Sequence, residues 1–122
     1  MMGLESLTKH RLCYLATPYS KFWSGIHSAH VEASIFAAHL LKHGVKVYSP
    51  IAHTQPLAIY GNIDPLDHGI WIPFDEAMMD VCDALIVAEM DGWRESKGIR
   101  HEIEYFERQQ KLVHYLPGEM FK

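Results

Sequence analysis

The run Ala84-Leu85-Ile86-Val87-Ala88 constrains the fold of this chain more than any other stretch. A continuous apolar run leaves no side for solvent, so it reads as a central strand covered on both faces. That kind of strand belongs to a parallel sheet held between layers of helix. Arg11 to Ala16 reads as another buried strand, and Thr17-Pro18-Tyr19-Ser20 ends it, because proline has no N–H to give a sheet ladder. From about Ser28 to His43, Ala29, Ala33, Phe36, Ala37, Leu40 and Leu41 recur at helical spacing, with Gly44 placed to cap the C-terminus. Val45 to Ser49 is the next strand. Strand, helix, strand with a short return loop is a βαβ unit, which implies parallel strands and a right-handed crossover.

Pro50 to about Gly69 holds three prolines and apolar residues without a steady period. It reads as a long loop with one short helical turn, and loops of that length are usually functional. A helix is predicted from near Ile72 or Pro73 to Val81, with Asp75 and Glu76 favouring its N-terminus. A polar loop from Glu89 to Lys97 follows the central strand. The last elements are a helix from about Gly98 to Gln110, with Ile99, Ile103 and Phe106 on one face, and a strand from Leu112 to Leu116. The expected architecture is a flavodoxin- or Rossmann-like three-layer α/β sandwich with a four- to five-stranded parallel sheet, formed by one domain over residues 1–122.

Composition narrows the function classes. With 122 residues, 48% hydrophobic and 21% charged, the chain can bury a core without staples. No apolar run approaches the ~20 residues needed to span a bilayer, and Met1 to His10 carries no long apolar stretch, so neither a membrane partner nor a signal peptide is expected. The net charge of −4 argues against nucleic-acid polymers, which demand clustered Lys and Arg. Cys13 and Cys82 read as buried inert thiols in a cytoplasmic protein. His39 and His43 have the i, i+4 spacing of a metal pair, but no carboxylate completes a zinc motif with them, so no metal and no cofactor are expected.

Ligands of parallel α/β sheets bind beyond the carboxyl ends of the strands, where the strand order switches. That rule selects Tyr14 to Ser20, with Thr17 and Pro18 among them, then Ser49 to His53, and Ala88 to Lys97 with the start of the next helix. There is no Gly-x-Gly-x-x-Gly, no P-loop and no nucleophile elbow. Ser96-Lys97-Gly98-Ile99-Arg100-His101-Glu102 opens a helix after the central strand. Gly98 permits close approach of backbone to a ligand, and first-turn N–H groups favour an anion. Glu102 lies about one turn in, where the helix dipole helps keep a carboxylate ionised for attack on an anomeric carbon. The same Ser-to-Glu pattern also reads as a simple cap with a solvated glutamate. Asp75 reads as a site acid or as a dipole partner, and Asp83, at the strand's entry, as structural. His53, His68 and His101 lie near the binding edge. Trp71 and Trp93 could stack on a base or pack in the core.

Tyr14-Leu15-Ala16-Thr17-Pro18-Tyr19 resembles the opening of the nucleoside 2-deoxyribosyltransferase superfamily, as does Gly44-x-x-Val47-x-Ser49-Pro50. The order Asp75, then Cys82-Asp83-Ala84-Leu85-Ile86-Val87, then Ser96-x-Gly98-x-x-x-Glu102 is similar in spacing, over about residues 11 to 116. Ser49 to His53 and Gly92 to Ser96 resemble patterns of a small uncharacterised subgroup. The resemblance implies cleavage or transfer of the N-glycosidic bond of a nucleoside or nucleoside 5′-monophosphate through a covalent glycosyl-glutamate. It implies that Glu102 is the nucleophile, that Asp75 assists the departing base, and that Tyr14 orients the nucleophile. Ser96 and Gly98 would line the sugar or phosphate end, with Thr17 standing where the superfamily has Gly. The substrate-contacting set expected from edge position and resemblance together is Ser96, Gly98, Thr17, Pro18, Ser20, His53 and Trp93. A homodimer or homotetramer is implied too. A nucleotide-binding or sensing module without turnover is the competing expectation.

Overall fold

The computed structural model describes residues 2–19 and 25–122. Its elements are α1 (Met2–Leu7), β1 (Cys13–Ala16), α2 (Ile26–Lys42), β2 (Val47–Tyr48), α3 (Pro50–Tyr60), α4 (His68–Val81), β3 (Ala84–Glu89), α5 (Lys97–Arg108) and β4 (Leu112–Pro117). The four strands form one parallel sheet in the order β2-β1-β3-β4. This is a Rossmann- or flavodoxin-like three-layer α/β fold. The apolar run Ala84 to Ala88 lies in β3, between β1 and β4, and every residue of that run is buried.

Side chains of a strand alternate between faces, and the two halves of the core follow that alternation. Cys13, Leu15, Ala84, Ile86 and Ala88 face α1 and α2, where Leu4, Leu7, Phe36 and Leu40 meet them. Tyr14, Ala16, Leu85 and Val87 face the other layer, with Met79 of α4 and Ile99 and Phe106 of α5. Tyr14 therefore faces the helix that carries Glu102. Chain order sends β1 outward to β2, whereas β3 continues to β4 on the opposite edge. The order thus switches between β1 and β3, and the carboxyl ends of these two strands open the crevice where ligands of such sheets bind. Gly44, at φ +85°, closes α2 as its position predicts.

Several expectations are corrected. Pro50 to Gly69 is not one long loop. Ser49 caps α3 by accepting from Ala52 N at 3.2 Å, and Pro50 fills the first turn, where its missing N–H costs nothing. Helical periodicity is invisible there because α3 buries Pro50, Gln55 and Ala58 while Leu57, Ile59 and Tyr60 are exposed. α4 begins at His68, capped by Asp67, whose carboxylate accepts from Gly69 N at 3.2 Å. Pro73 accordingly stands inside α4, and Asp75 belongs to its middle rather than to a dipole-favoured first turn. Leu41 is exposed instead of sharing the buried face of α2. The N-terminal helix α1 was not foreseen. It contributes Leu4 and Leu7 to the core.

Cys13 and Cys82 are free and buried, and burial pushes their thiols up to about 11 and about 12, which keeps them protonated and unreactive. Asp83 accepts from Arg11 N at 2.8 Å, tying the entry of β3 to that of β1, a structural role. Among the described residues no helix is long and apolar enough to cross a membrane.

Candidate functional site

A cavity of about 480 Å³ opens between α3, α4 and α5 beyond the carboxyl end of β1. Thr17 forms its floor after β1. Pro50, Ile51 and Thr54 of α3 and Trp71, Ile72, Asp75 and Met79 of α4 form one wall. Ser96, Lys97, Gly98, Ile99, His101 and Glu102 form the other. Most of this lining is apolar, and the polar groups converge from three separate elements, the usual composition of a small-molecule site.

The local reasons for that convergence are simple. Ser96 ends the loop after β3 in an extended conformation, and its Oγ accepts from Ile99 N at 3.2 Å. This cap starts α5 and leaves the N–H groups of Lys97 and Gly98 without intrahelical acceptors. One and a half turns later Glu102 points back over the sheet. Residue 102 retains some exposure, but its carboxyl is enclosed by protein.

Burial raises the Glu102 carboxyl to about 8, the Tyr14 hydroxyl opposes the rise, and the Asp75 charge adds to it. The expectation that the helix dipole keeps Glu102 ionised is therefore corrected. The dipole acts within the first turn, and Glu102 lies past it in a desolvated place. Burial likewise raises Asp75 to about 6. Tyr14 is fully buried, and its ionisation is pushed well above the ordinary tyrosine value by burial, then by the charges of Glu102 and Asp75. It therefore remains a neutral donor.

Four buried polar atoms lack a hydrogen-bond partner within the protein among the described residues: Tyr14 Oη, Thr17 Oγ1, Tyr48 Oη and Asp75 Oδ1. Tyr14 Oη feels Glu102 electrostatically, yet no hydrogen bond of ordinary geometry closes between them. Buried polar atoms are nearly always paired in folded proteins. Two of the four, Thr17 Oγ1 and Asp75 Oδ1, belong to residues that line the cavity and mark atoms that a polar ligand can satisfy.

Tyr14, Asp75, Glu102, Thr17, Ser96 and Gly98 are thus brought together, with Tyr14 behind the cavity wall. His68, Trp71 and His101 line the cavity too, whereas Trp93, His53 and Pro18 do not. Trp93 lies on the far side of the α5 N-terminus, under the Arg94 guanidinium at 5.2 Å from its ring centre and 5.9 Å from the Tyr115 ring. It lines a separate groove of about 290 Å³ and packs against the core, because the Glu89–Lys97 loop folds back across the outer face of α5. His53 is exposed on α3 and stacks on Phe74 at 5.7 Å, outside the cavity. Pro18 is fully buried, and it turns the chain without lining the cavity. Ser20 lies outside the described residues.

Tyr48 was missed. It pairs in register with Tyr14, their ring centres are 5.8 Å apart, and burial and the Asp75 charge raise its ionisation. The signal available was that β2 ends at the same edge as β1. His101 was expected near the binding edge. It lines the cavity and meets Glu76 at 3.0 Å. Among the described residues no group of three or more His, Cys, Asp or Glu side chains could hold a metal ion. His39 and His43 instead pack against Phe121, with ring centres at 4.8 and 5.8 Å.

Residues 11–117 match a family model described as "Domain of unknown function (DUF1937)". No curated protein matches the chain.

Proposed function

The chain belongs to the DUF1937 family, and we propose that it cleaves the N-glycosidic bond of a nucleoside or nucleoside 5′-monophosphate through a glycosyl ester on Glu102. One observation carries the reading: Asp75 and Glu102, from two different helices, line one cavity at the switch point of the sheet with the neutral Tyr14 hydroxyl behind them. The resemblance to the nucleoside 2-deoxyribosyltransferase superfamily supplies the chemistry such a pair performs.

In the first step a Glu102 carboxylate oxygen bonds to C1′ and the C1′–N bond breaks. Its electron pair goes to the base, and the Asp75 proton follows it there. Glu102 is raised to about 8 and Asp75 to about 6, so between those values the pair holds one proton. The reactive arrangement places that proton on Asp75. Moving it there from Glu102 costs about 3 kcal/mol in the empty site, taking 1.36 kcal/mol per pKa unit. A bound sugar offsets this cost as its positive charge develops beside Glu102. Thr17 Oγ1 and the free N–H groups of Lys97 and Gly98 are placed for sugar hydroxyls or a 5′-phosphate. Leu57, Ile59, Tyr60, Leu66, Ile70 and Phe74 are exposed on α3, α4 and the turn between them, which supports a homodimer or homotetramer with this face covered.

The test is incubation with a panel of nucleosides and nucleoside monophosphates, followed by chromatography for free base and intact-mass analysis for a glycosyl adduct. Wild type is expected to release base and Glu102→Ala to release none. Equal release by both sinks the proposal, and ligand binding without release favours the sensor.

A further inference from the structure

His101 and Glu76 are the chain neighbours of Glu102 and Asp75, and they join the same two helices by a direct contact. His101 Nε2 lies 3.0 Å from Glu76 Oε2, with side chains 37% and 34% exposed. A carboxylate only accepts, so in this pair Nε2 carries a proton, and in the neutral ring Nδ1 keeps a lone pair. The ring lies 5.9 Å from that of Tyr105. His101 also lines the cavity that contains Glu102. A carboxylate-held imidazole with one free nitrogen is the arrangement that fixes tautomer and orientation for taking a proton.

We infer that His101, oriented by Glu76, is the base that activates the water attacking the glycosyl–Glu102 ester. This rests on Glu102 being the nucleophile. The water oxygen bonds to C1′ and its proton passes to Nδ1. The bond from C1′ to the Glu102 oxygen breaks, and its electron pair returns to the carboxylate. Position divides the work between the two candidate bases. The attacking water takes the place the base has left, on the face of C1′ opposite Glu102; Asp75, with its buried oxygen, serves the departing base, and the part-exposed His101 takes the proton of water entering from solvent. Glu76 is a positioning residue. With water as the acceptor the reaction is hydrolysis.

The experiment is rapid-quench base release by His101→Gln with a substrate that wild type cleaves. The expected result is a burst of one base per protein, then a steady state slowed about 10²-fold, with the glycosyl adduct on Glu102 accumulating in intact-mass spectra. Azide, a nucleophile that needs no base, is expected to restore turnover and give a glycosyl azide. Glu76→Gln is expected to slow turnover less and to respond to azide in the same way. Unchanged turnover in His101→Gln overturns the inference, since Asp75 or bulk water then suffices. Slow turnover with neither burst nor azide response also overturns it, by assigning His101 to binding or folding. Wild type that releases no base from any nucleoside or nucleotide overturns the reading of Glu102, and this inference with it.

Discussion

Asp75, from the middle of α4, and Glu102, past the first turn of α5, line one cavity, and the charge of Asp75 adds to the burial that raises Glu102. The carboxyls lie near about 6 and about 8 and titrate as a pair. Below the lower value both carry protons and no nucleophile is ionised. Above the upper value neither carries one and the base has no donor. A plot of kcat/KM for base release against pH is therefore expected to be a bell with its top near neutrality. It should fall about tenfold per pH unit beyond each limb. A flat profile from about pH 5 to about pH 9 removes the pair from the chemistry.

Tyr14→Phe separates catalysis from stability. The Tyr14 hydroxyl holds Glu102 below where burial alone would put it, so its loss is expected to move the upper limb of the bell to higher pH and to slow base release about tenfold. No hydrogen bond of ordinary geometry holds that hydroxyl, so removing it is expected to cost the fold little. Thermal melts beside the assay check both halves: a nearly unchanged Tm with lower activity is the expected combination.

The legible parts of the molecule are those where one physical signal suffices. The unbroken apolar run Ala84 to Ala88 announces the central strand, and the spacing of Ala29, Ala33, Phe36, Ala37 and Leu40 announces α2. Ser96 to Glu102 is also legible as a helix start at the binding edge. α3 was hidden because two prolines break the pattern and its exposed face is as apolar as its buried one. The place of Asp75 was readable as a candidate, but its mid-helix setting depends on the Asp67 cap, one of several polar residues in that stretch. Chain position put Trp93 at the binding edge, but the side of α5 on which it lies is set by its packing against the second core cluster, a tertiary fact. The ionisation of Glu102 was read with the wrong sign, since spacing reports the helix dipole and burial is a tertiary fact.

Ser96 and Thr17 both line the cavity and are expected to answer mutation in opposite ways. Ser96 Oγ is engaged with Ile99 N at 3.2 Å as the cap of α5. Ser96→Ala is therefore expected to cost about 1 kcal/mol of stability. Thr17 Oγ1 has no partner, so Thr17→Val keeps shape and stability but raises KM. Urea titration and steady-state kinetics on both variants give the two readouts. A stability loss in Thr17→Val with no change in KM contradicts the assignment of its hydroxyl to ligand.

Glu102→Gln is expected to make the protein more stable at high pH and no more stable at low pH. The group has an ordinary value of 4.5 and is raised to about 8 in the fold. At pH values below the ordinary one it is protonated in both folded and unfolded chains and contributes no difference. As pH rises past that value the unfolded chain ionises while the folded chain keeps its proton. Wild-type stability therefore falls through this window, and the loss is complete once pH exceeds the folded value. A glutamine has the same shape without the charge and escapes the loss. The gain of the variant over wild type is expected to be ~5 kcal/mol at about pH 9 and near zero at about pH 4. Urea unfolding of both proteins across that range checks it. A constant difference at all pH values means that the Glu102 carboxyl is solvated in the folded chain. The growing difference is the signature of a carboxylate held where it weakens the fold, the trade expected of a residue kept for chemistry.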